Sequence, residues 1–437
     1  MKHRIWGATV AAGAILLLSS CSLVGSSSGG AEKSNSFTYW SMWSKGEPQQ
    51  VALQKAIDEF TKSTGIKVDV QWDGRSNVTK VAPTLNSAKS PVDLIDAAQR
   101  NIDSTLVQTD QYTPLGDVLN SKIPGEANKT VGEVIPKNDI DLVSKGGQPW
   151  MIPYEVITSG FWFNGAAHPE LVSNPPRTWD QLIDVLQKYK DATGRGPLAL
   201  DGDIANYNLY YYAELAVRNT GPGQLNKAAG DKSGNAFKAP SFKKAAEEVQ
   251  QLVKGGYFAT GYSSSKWPAL QQQWAQGKSE LDYNGTWIPH ESAAYAAKGF
   301  EYHMFPMPAV KAGGDVSPDV SFIGFGIPKK ATHADAAKKF IAYFMNKERL
   351  GRISSIATNL TPRTDIPVPT QLSDAKQLID SATKIHGQFD GIESDYGDWT
   401  TKVLIPLVNS LIFGTIDADT FSAELPKQSA QYWSNNG

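Results

Sequence analysis

Phe37-Thr38-Tyr39-Trp40-Ser41, then a segment from Pro48 to Thr64, then Gly65 and Ile66-Lys67-Val68-Asp69-Val70-Gln71-Trp72 decide the fold class of this chain. The outer pieces are short and rich in β-branched and aromatic residues, as strands are. In the middle piece Val51, Leu53, Ala56, Ile57 and Phe60 form an apolar stripe near the 3.6-residue period of a helix. Pro48 suits the first turn of that helix and Gly65 its C-terminal cap. A second helical stretch over residues 77–88 leads to Val92-Asp93-Leu94-Ile95-Asp96, another strand. Strand–helix alternation of this kind implies an α/β fold with a mostly parallel sheet covered by helices. Ligands of such sheets sit beyond the carboxyl ends of the strands.

Working outward, Trp150-Met151-Ile152-Pro153-Tyr154-Glu155 and Gly160-Phe161-Trp162-Phe163-Asn164 read as extended. Thr178 is placed to cap a helix that runs to Lys190. Further helices are expected over 207–217 and 241–254, and Pro197 to Leu200 is a short strand. Glu280-Leu281-Asp282-Tyr283-Asn284 alternates as a strand and leads into Gly285-Thr286-Trp287. Residues 302–307 are extended, 321–328 form a glycine-punctuated strand, 335–347 a helix, and 400–413 and 420–433 a closing helical pair.

The N-terminus has a different character. Lys2 and Arg4 precede an apolar run from Ile5 to Leu18, and Leu18-Ser19-Ser20-Cys21 follows. A basic start, a short apolar core and small residues at the cut site make residues 1–20 a secretory signal. The run is too short to span a bilayer, which takes about 20 apolar residues. The tetrapeptide resembles the lipobox of bacterial lipoproteins, whose cysteine is diacylated and becomes the new N-terminus; the alternative is an incidental thiol in an ordinary signal. Residues 21–36, rich in Ser and Gly, read as a flexible tether. The expected location is the outer face of the bacterial cell membrane, with Cys21 as the lipid anchor.

Removal of the leader leaves about 415 residues, enough for two domains with a large core. Cys21 is the only cysteine, so stability rests on core burial without disulfides. The formal charge is −2, becoming −4 without Lys2 and Arg4, and no basic stripe stands out, so no nucleic-acid partner is expected. His3, His168, His290, His303, His333 and His386 lack the spacing of a metal site. No G-x-S-x-G elbow occurs, Gly277-Lys278-Ser279 lacks the first glycine of a phosphate loop, and Gly324-Phe325-Gly326 lacks the third glycine of a dinucleotide site. The reading is therefore of a protein without cofactor, metal or catalytic apparatus. A carboxylate pair for glycoside hydrolysis stays open, because Asp and Glu are plentiful.

Four ordered pieces carry a resemblance. They are Phe37–Ser41 with the helix ending at Gly65; Ile152-Pro153-Tyr154 through Asn164, then Pro175-Pro176-Arg177-Thr178-Trp179-Asp180; Gly277-Lys278 through Asn284-Gly285-Thr286-Trp287; and Phe325-Gly326-Ile327 with the helix at Ala336–Ile341. In this order and spacing the chain resembles the family 1 extracellular solute-binding proteins of ABC importers, which include the maltose-binding protein. The resemblance covers essentially the whole mature chain. It implies a two-lobed periplasmic-binding-protein-like fold of two mixed sheets joined by three crossovers, near 153–155, 318–322 and 359–363. Domain I would be 37–153 with 322–360, and domain II 154–321 with 361–437. A monomer would trap a solute by hinge closure and present it to the permease transmembrane subunits.

A sugar, which this resemblance implies is an oligosaccharide, needs flat aromatic platforms for its C–H faces and polar groups for its hydroxyls. In the resemblance Trp287 is the stacking platform, and Trp399 corresponds to a second one. Trp43, Ser44 and Lys45 follow the first strand, and Gln99 and Arg100 follow the strand at 92–96, where cleft residues originate. Tyr154 and Glu155 stand on the first crossing; Asp201 and Asn206 follow the strand at 197–200. Glu155 and Asp201 either accept from hydroxyls or cap a helix or pair with lysine. Arg363 either reaches the cleft with its fork or salt-bridges elsewhere. The expectation is that Trp43 or Gln99 faces Trp287 and Trp399 across one ligand. Competing readings are a site for a peptide, polyamine or phosphodiester, and an exported glycoside-active enzyme.

Overall fold

The computed structural model describes residues 35–436. The leader, Cys21 and the tether as far as residue 34 lie outside the described residues, and Ser36 already belongs to the first strand.

Strand Ser36–Ser41, helix Pro48–Thr64 and strand Lys67–Trp72 follow one another, the two strands pairing in parallel with Tyr39 opposite Val70. Gly65, at φ 73°, stops the helix in the left-handed region and returns its N–H to Thr61 O. Gln49, Ala52, Leu53, Ala56, Ile57 and Phe60 form the buried face. Fully burying each of the large side chains among them stabilises the fold by about 1.5–3 kcal/mol. Val51 is instead 46% exposed. Two residues before Leu53, it lies about 200° away around the helix, outside the i, i+3, i+4, i+7 stripe.

The first sheet has six strands. Leu94–Ala98 runs parallel to the opening strand, and Asp319–Gly326 runs antiparallel to Leu94–Ala98. Ile152–Ile157 pairs with Asp319–Gly326, and the short His386–Gly387 adds to its start. The second sheet is Tyr302–Phe305, Ser159–Asn164, Leu281–Gly285 and Leu198–Ala199 in that order. Helices Ala205–Thr220, Pro240–Lys254 and Ala418–Asn436 cover it. One buried apolar cluster centres on Phe37, Tyr39, Phe325 and Phe340 and continues onto Trp162 and Trp274. The other gathers Tyr210, Tyr283, Phe389 and Trp399. The result is two α/β lobes.

The helix expected over 77–88 is a chain of short turns ending at Thr84, because Pro83 cannot continue a helical ladder. The helix expected over 335–347 ends at Phe344, and a new one, Lys347–Ala357, starts where Asn346 accepts the Glu348 and Arg349 N–H groups. The chain leaves the first sheet between Ile157 and Ser159 and re-enters it at Asp319. At that junction Asp319 Oδ1 accepts from Ser159 N–H (2.9 Å) and Ser159 Oγ–H (2.7 Å). No helix among the described residues is long and apolar enough to cross a membrane.

Candidate functional site

The parallel strands Ser36–Ser41, Lys67–Trp72 and Leu94–Ala98 end on one edge of the first sheet. Their continuations bring Trp43, Arg75 and Gln99–Arg100 to that edge. Trp43, Glu47, Arg75 and Glu155 from the first lobe and Trp267, Gln271, Trp287 and Glu291 from the second enclose a cavity of about 570 Å³.

Trp43 is 4% exposed. Its Nε1–H donates to the Tyr154 hydroxyl at 2.7 Å; that hydroxyl donates to Asp96 Oδ2 at 2.6 Å, and Asp96 Oδ1 accepts the Met42 N–H at 2.8 Å. The Arg75 guanidinium lies 4.5 Å from the Trp43 ring centroid and forks onto Glu47 with two contacts of 2.9 Å. A cation stacked on a ring and bound bidentately is held in orientation as well as position. Trp43 therefore lines the cavity, as a base for Arg75. Tyr154, fully buried, positions Trp43 and is off the cavity wall, which corrects its assignment as a ligand contact. Ser44 and Lys45 are exposed and also off that wall; the Ser44 N–H donates to the Glu47 carboxylate.

Glu155 is 3% exposed, and Asn359 donates to its Oε1 while Oε2 has no hydrogen-bond partner. Burial pushes its carboxyl up to about 8, against the opposing pull of Arg75. Burial thus favours the protonated form of Glu155, which offers a donor, where the sequence reading had it accepting from hydroxyls, capping a helix or pairing with lysine.

On the second lobe, strand Leu281–Gly285 delivers Trp287. A Cβ at position 285 would fall within the Trp287 ring, so glycine is what lets the indole fold back over the strand end. The ring is half-buried between both apolar clusters and lines the cavity. Asp201 is not on the cavity wall: Oδ1 accepts from Leu270 N–H (2.9 Å) and Oδ2 from Gln271 N–H (3.2 Å), capping helix Ala269–Ala275. That cap aims Gln271, whose Oε1 accepts from Trp267 Nε1–H (3.3 Å) and whose Nε2–H donates to Glu291 (3.2 Å). Trp267 is 43% exposed.

Other expected residues fall elsewhere. Gln99 donates to Leu142 O at 3.0 Å and lines a separate interlobe cavity of about 860 Å³. Arg100 and Asn206 meet on Glu393, at 3.1 and 3.0 Å, rather than on the wall of the aromatic cavity. Trp399 is fully buried, stacked on Phe237 with centroids 5.6 Å apart and donating to Ser429, so it is core and not a platform. Arg363 is 1% exposed and paired with Glu126 (2.7 Å) and Asp365 (2.8 Å), which removes it from the cleft. Its guanidinium holds the Asp365 carboxyl down to about 2. Among the described residues no cluster of three or more His, Cys, Asp or Glu could hold a metal ion.

Arg75, Trp267, Gln271 and Glu291 were not singled out from sequence. Trp267 had a signal, an aromatic beside Pro268 between helices. The other three are ordinary polar residues made notable only by tertiary convergence.

Solved structures share this architecture. The apo form of RafE from Streptococcus pneumoniae superposes with a TM-score of 0.75 at 15% identity, covering 92% of this chain and 99% of that one. A cyclo/maltodextrin-binding protein complexed with maltotetraose gives 0.67 at 17% identity, covering 92% and 97%. Among sequence relatives, the diacetylchitobiose binding protein NgcE of Streptomyces coelicolor is 21% identical over 377 residues, covering 83% of this chain and 78% of the relative. An ABC transporter extracellular-binding protein of Pyrococcus horikoshii is 23% identical over 359 residues, covering 78% and 76%. Residues 44–349 match the profile of the bacterial extracellular solute-binding proteins, and the chain belongs to that family.

Proposed function

We propose that this protein is the carbohydrate receptor of an ABC importer: it captures a saccharide, as an oligosaccharide, between its lobes and delivers it to the membrane permease. The observation that carries this reading is the composition of the 570 Å³ cavity. Its wall combines the indoles of Trp287 and Trp267 with the polar groups of Arg75, Gln271, Glu155 and Glu291. Sugars offer apolar C–H faces and hydroxyl edges, and this wall supplies a partner for each. A polyamine site would want several convergent acids, whereas here Glu47 is paired with Arg75 and burial favours the protonated form of Glu155; a phosphoester site would use helix N-termini. The named ligands of relatives, diacetylchitobiose for NgcE and maltotetraose for the cyclo/maltodextrin-binding protein, support the same class.

In this reading the hinge lies at Thr158, just before Asp319, and between Ile366 and the helix Ser373–Ser381, and not at 153–155 and 359–363 as expected, because Tyr154 and Glu155 sit within a strand of the first sheet and Arg363 pairs with Glu126 of the same lobe. A solute touching both lobes favours closure by the difference in its affinity for the two states. The protein acts as a monomer, tethered to the outer face of the membrane through lipidated Cys21, and performs no chemistry on its solute. A thermal-shift screen against mono- and oligosaccharides tests the reading. A sugar at 100 times its Kd should stabilise the fold by about 2.7 kcal/mol. No shift with any saccharide, beside a shift with an amine or phosphoester, would overturn it.

A further inference from the structure

Trp267 and Tyr295 stand open to solvent at 43% and 44%. Among the described residues the other large hydrophobic side chains so exposed are aliphatic: Val51, Val172, Val316 and Ile356. A lone exposed aromatic is ordinary on a protein surface. These two instead line one cavity, the chamber of about 570 Å³ that also holds Trp287. Its wall is graded: Trp43, Glu155 and Gln271 are buried, Trp287 is half-buried, and Trp267 and Tyr295 are exposed, which puts the last two at the opening.

Both residues are anchored by the same helix, Ala269–Ala275. Trp267 lies just before it; its backbone N–H donates to Asp203 Oδ1 at 2.9 Å and its Nε1–H to Gln271 Oε1 at 3.3 Å. Tyr295 ends the turn Ala293–Tyr295, which packs against that helix, and the Ala297 N–H donates to Ala275 O at 2.8 Å. Ala293, Ala294, Ala296 and Ala297 flank the tyrosine. Their methyl groups are too short to cover its ring, so the sequence leaves it bare. An apolar face kept in water gains its transfer free energy only when something covers it.

Resting on the carbohydrate reading, we propose that Trp267 and Tyr295 form an outer stacking subsite at the mouth of the chamber, with Tyr295 the residue that reads added chain length. A saccharide seated on Trp287 and continuing outward covers these rings with the C–H faces of its next units. The receptor thus holds one end of an oligosaccharide and lets the rest run into solvent.

Isothermal titration of maltose to maltohexaose, of raffinose and stachyose, and of the N-acetylchito-oligosaccharides tests this on wild type, Tyr295→Ala and Tyr295→Phe. In the series that binds, wild-type affinity should rise with length by about tenfold, the effect of one well-placed aromatic contact, and then level off. Tyr295→Ala should bind the shortest member as wild type does and lose the tenfold gain on longer ones. Tyr295→Phe, which keeps the ring face, should retain it. Because the side chain is exposed, both variants should fold normally. A wild-type affinity that does not rise with length, or a Tyr295→Ala profile that is unchanged or uniformly weakened, overturns the outer subsite and leaves the carbohydrate reading standing. Absence of binding of every series to wild type removes both.

Discussion

The indole N–H of Trp43 donates to the hydroxyl of Tyr154 at 2.7 Å, and this one contact ties the loop after the first strand to the strand that leads out of the first lobe. The Tyr154 hydroxyl also donates to Asp96, whose carboxyl burial raises above the usual range. Removing that hydroxyl strands a buried donor and a buried acceptor together. Tyr154→Phe should therefore destabilise the protein by about 1–3 kcal/mol in urea unfolding. Because Arg75 stacks on Trp43, solute affinity should fall as well; unchanged affinity would show that the relay positions nothing at the cavity.

Trp287→Ala should weaken saccharide binding by at least ~1 kcal/mol while the fold survives, as expected of a desolvated aromatic anchor. The ring is only partly buried and lines the cavity, so the void left inside the protein is limited. Calorimetry beside a melting curve separates the two effects. Loss of folding with no measurable binding change would make Trp287 a core residue.

Glu155 links stability to pH. Burial pushes its folded-state carboxyl up to about 8 from an ordinary value of 4.5. Between those values the folded protein holds a proton that the unfolded chain has released, so stability falls as pH rises through the window. Glu155→Gln keeps an oxygen for Asn359 and removes the titration. The stability of the variant relative to wild type should rise from pH 5 to pH 8, gaining at least ~1 kcal/mol. A difference that stays flat across that range would show that Glu155 ionises normally.

Arg363 serves the first lobe's architecture. Arg363→Met leaves Glu126 without its buried partner and should cost about 3–5 kcal/mol. Solute affinity, measured well below the melting temperature, should be unchanged. A selective loss of affinity with normal stability would return Arg363 to the binding site.

Cys21→Ala should abolish lipid labelling and release the protein from the membrane fraction of its host, or leave it with an uncleaved leader. Wild-type protein recovered in soluble form with a free Cys21 thiol would exclude the anchor.

Local rules carried much of the fold. Helix Pro48–Thr64 was readable to the residue, since a proline, a glycine and a 3.6-residue stripe each mark it independently. Strand Leu281–Gly285 was readable from its alternation, whereas Trp287 after it was singled out by the family resemblance. The misplaced residues share a different cause. Trp399 and Arg363 have side chains whose direction depends on distant partners, Phe237 for one and Glu126 for the other. Asp201 turned to a helix start 69 residues ahead, where Leu270 N–H bonds to it. Arg75 lies on the loop after the second strand, where it becomes notable only once Trp43 and Glu47 are beside it.

The space over Gly285 belongs to the Trp287 ring, so positions 285 and 287 constitute one inherited unit. Any side chain at 285 evicts the indole before it can alter the wall chemically. A directed library that diversifies only residue 285 should return non-binders almost uniformly, whereas shrinking residue 287 first makes room at 285 for a β-carbon. Retuning this receptor to a new solute thus follows an ordered path, with the tryptophan changing before the glycine.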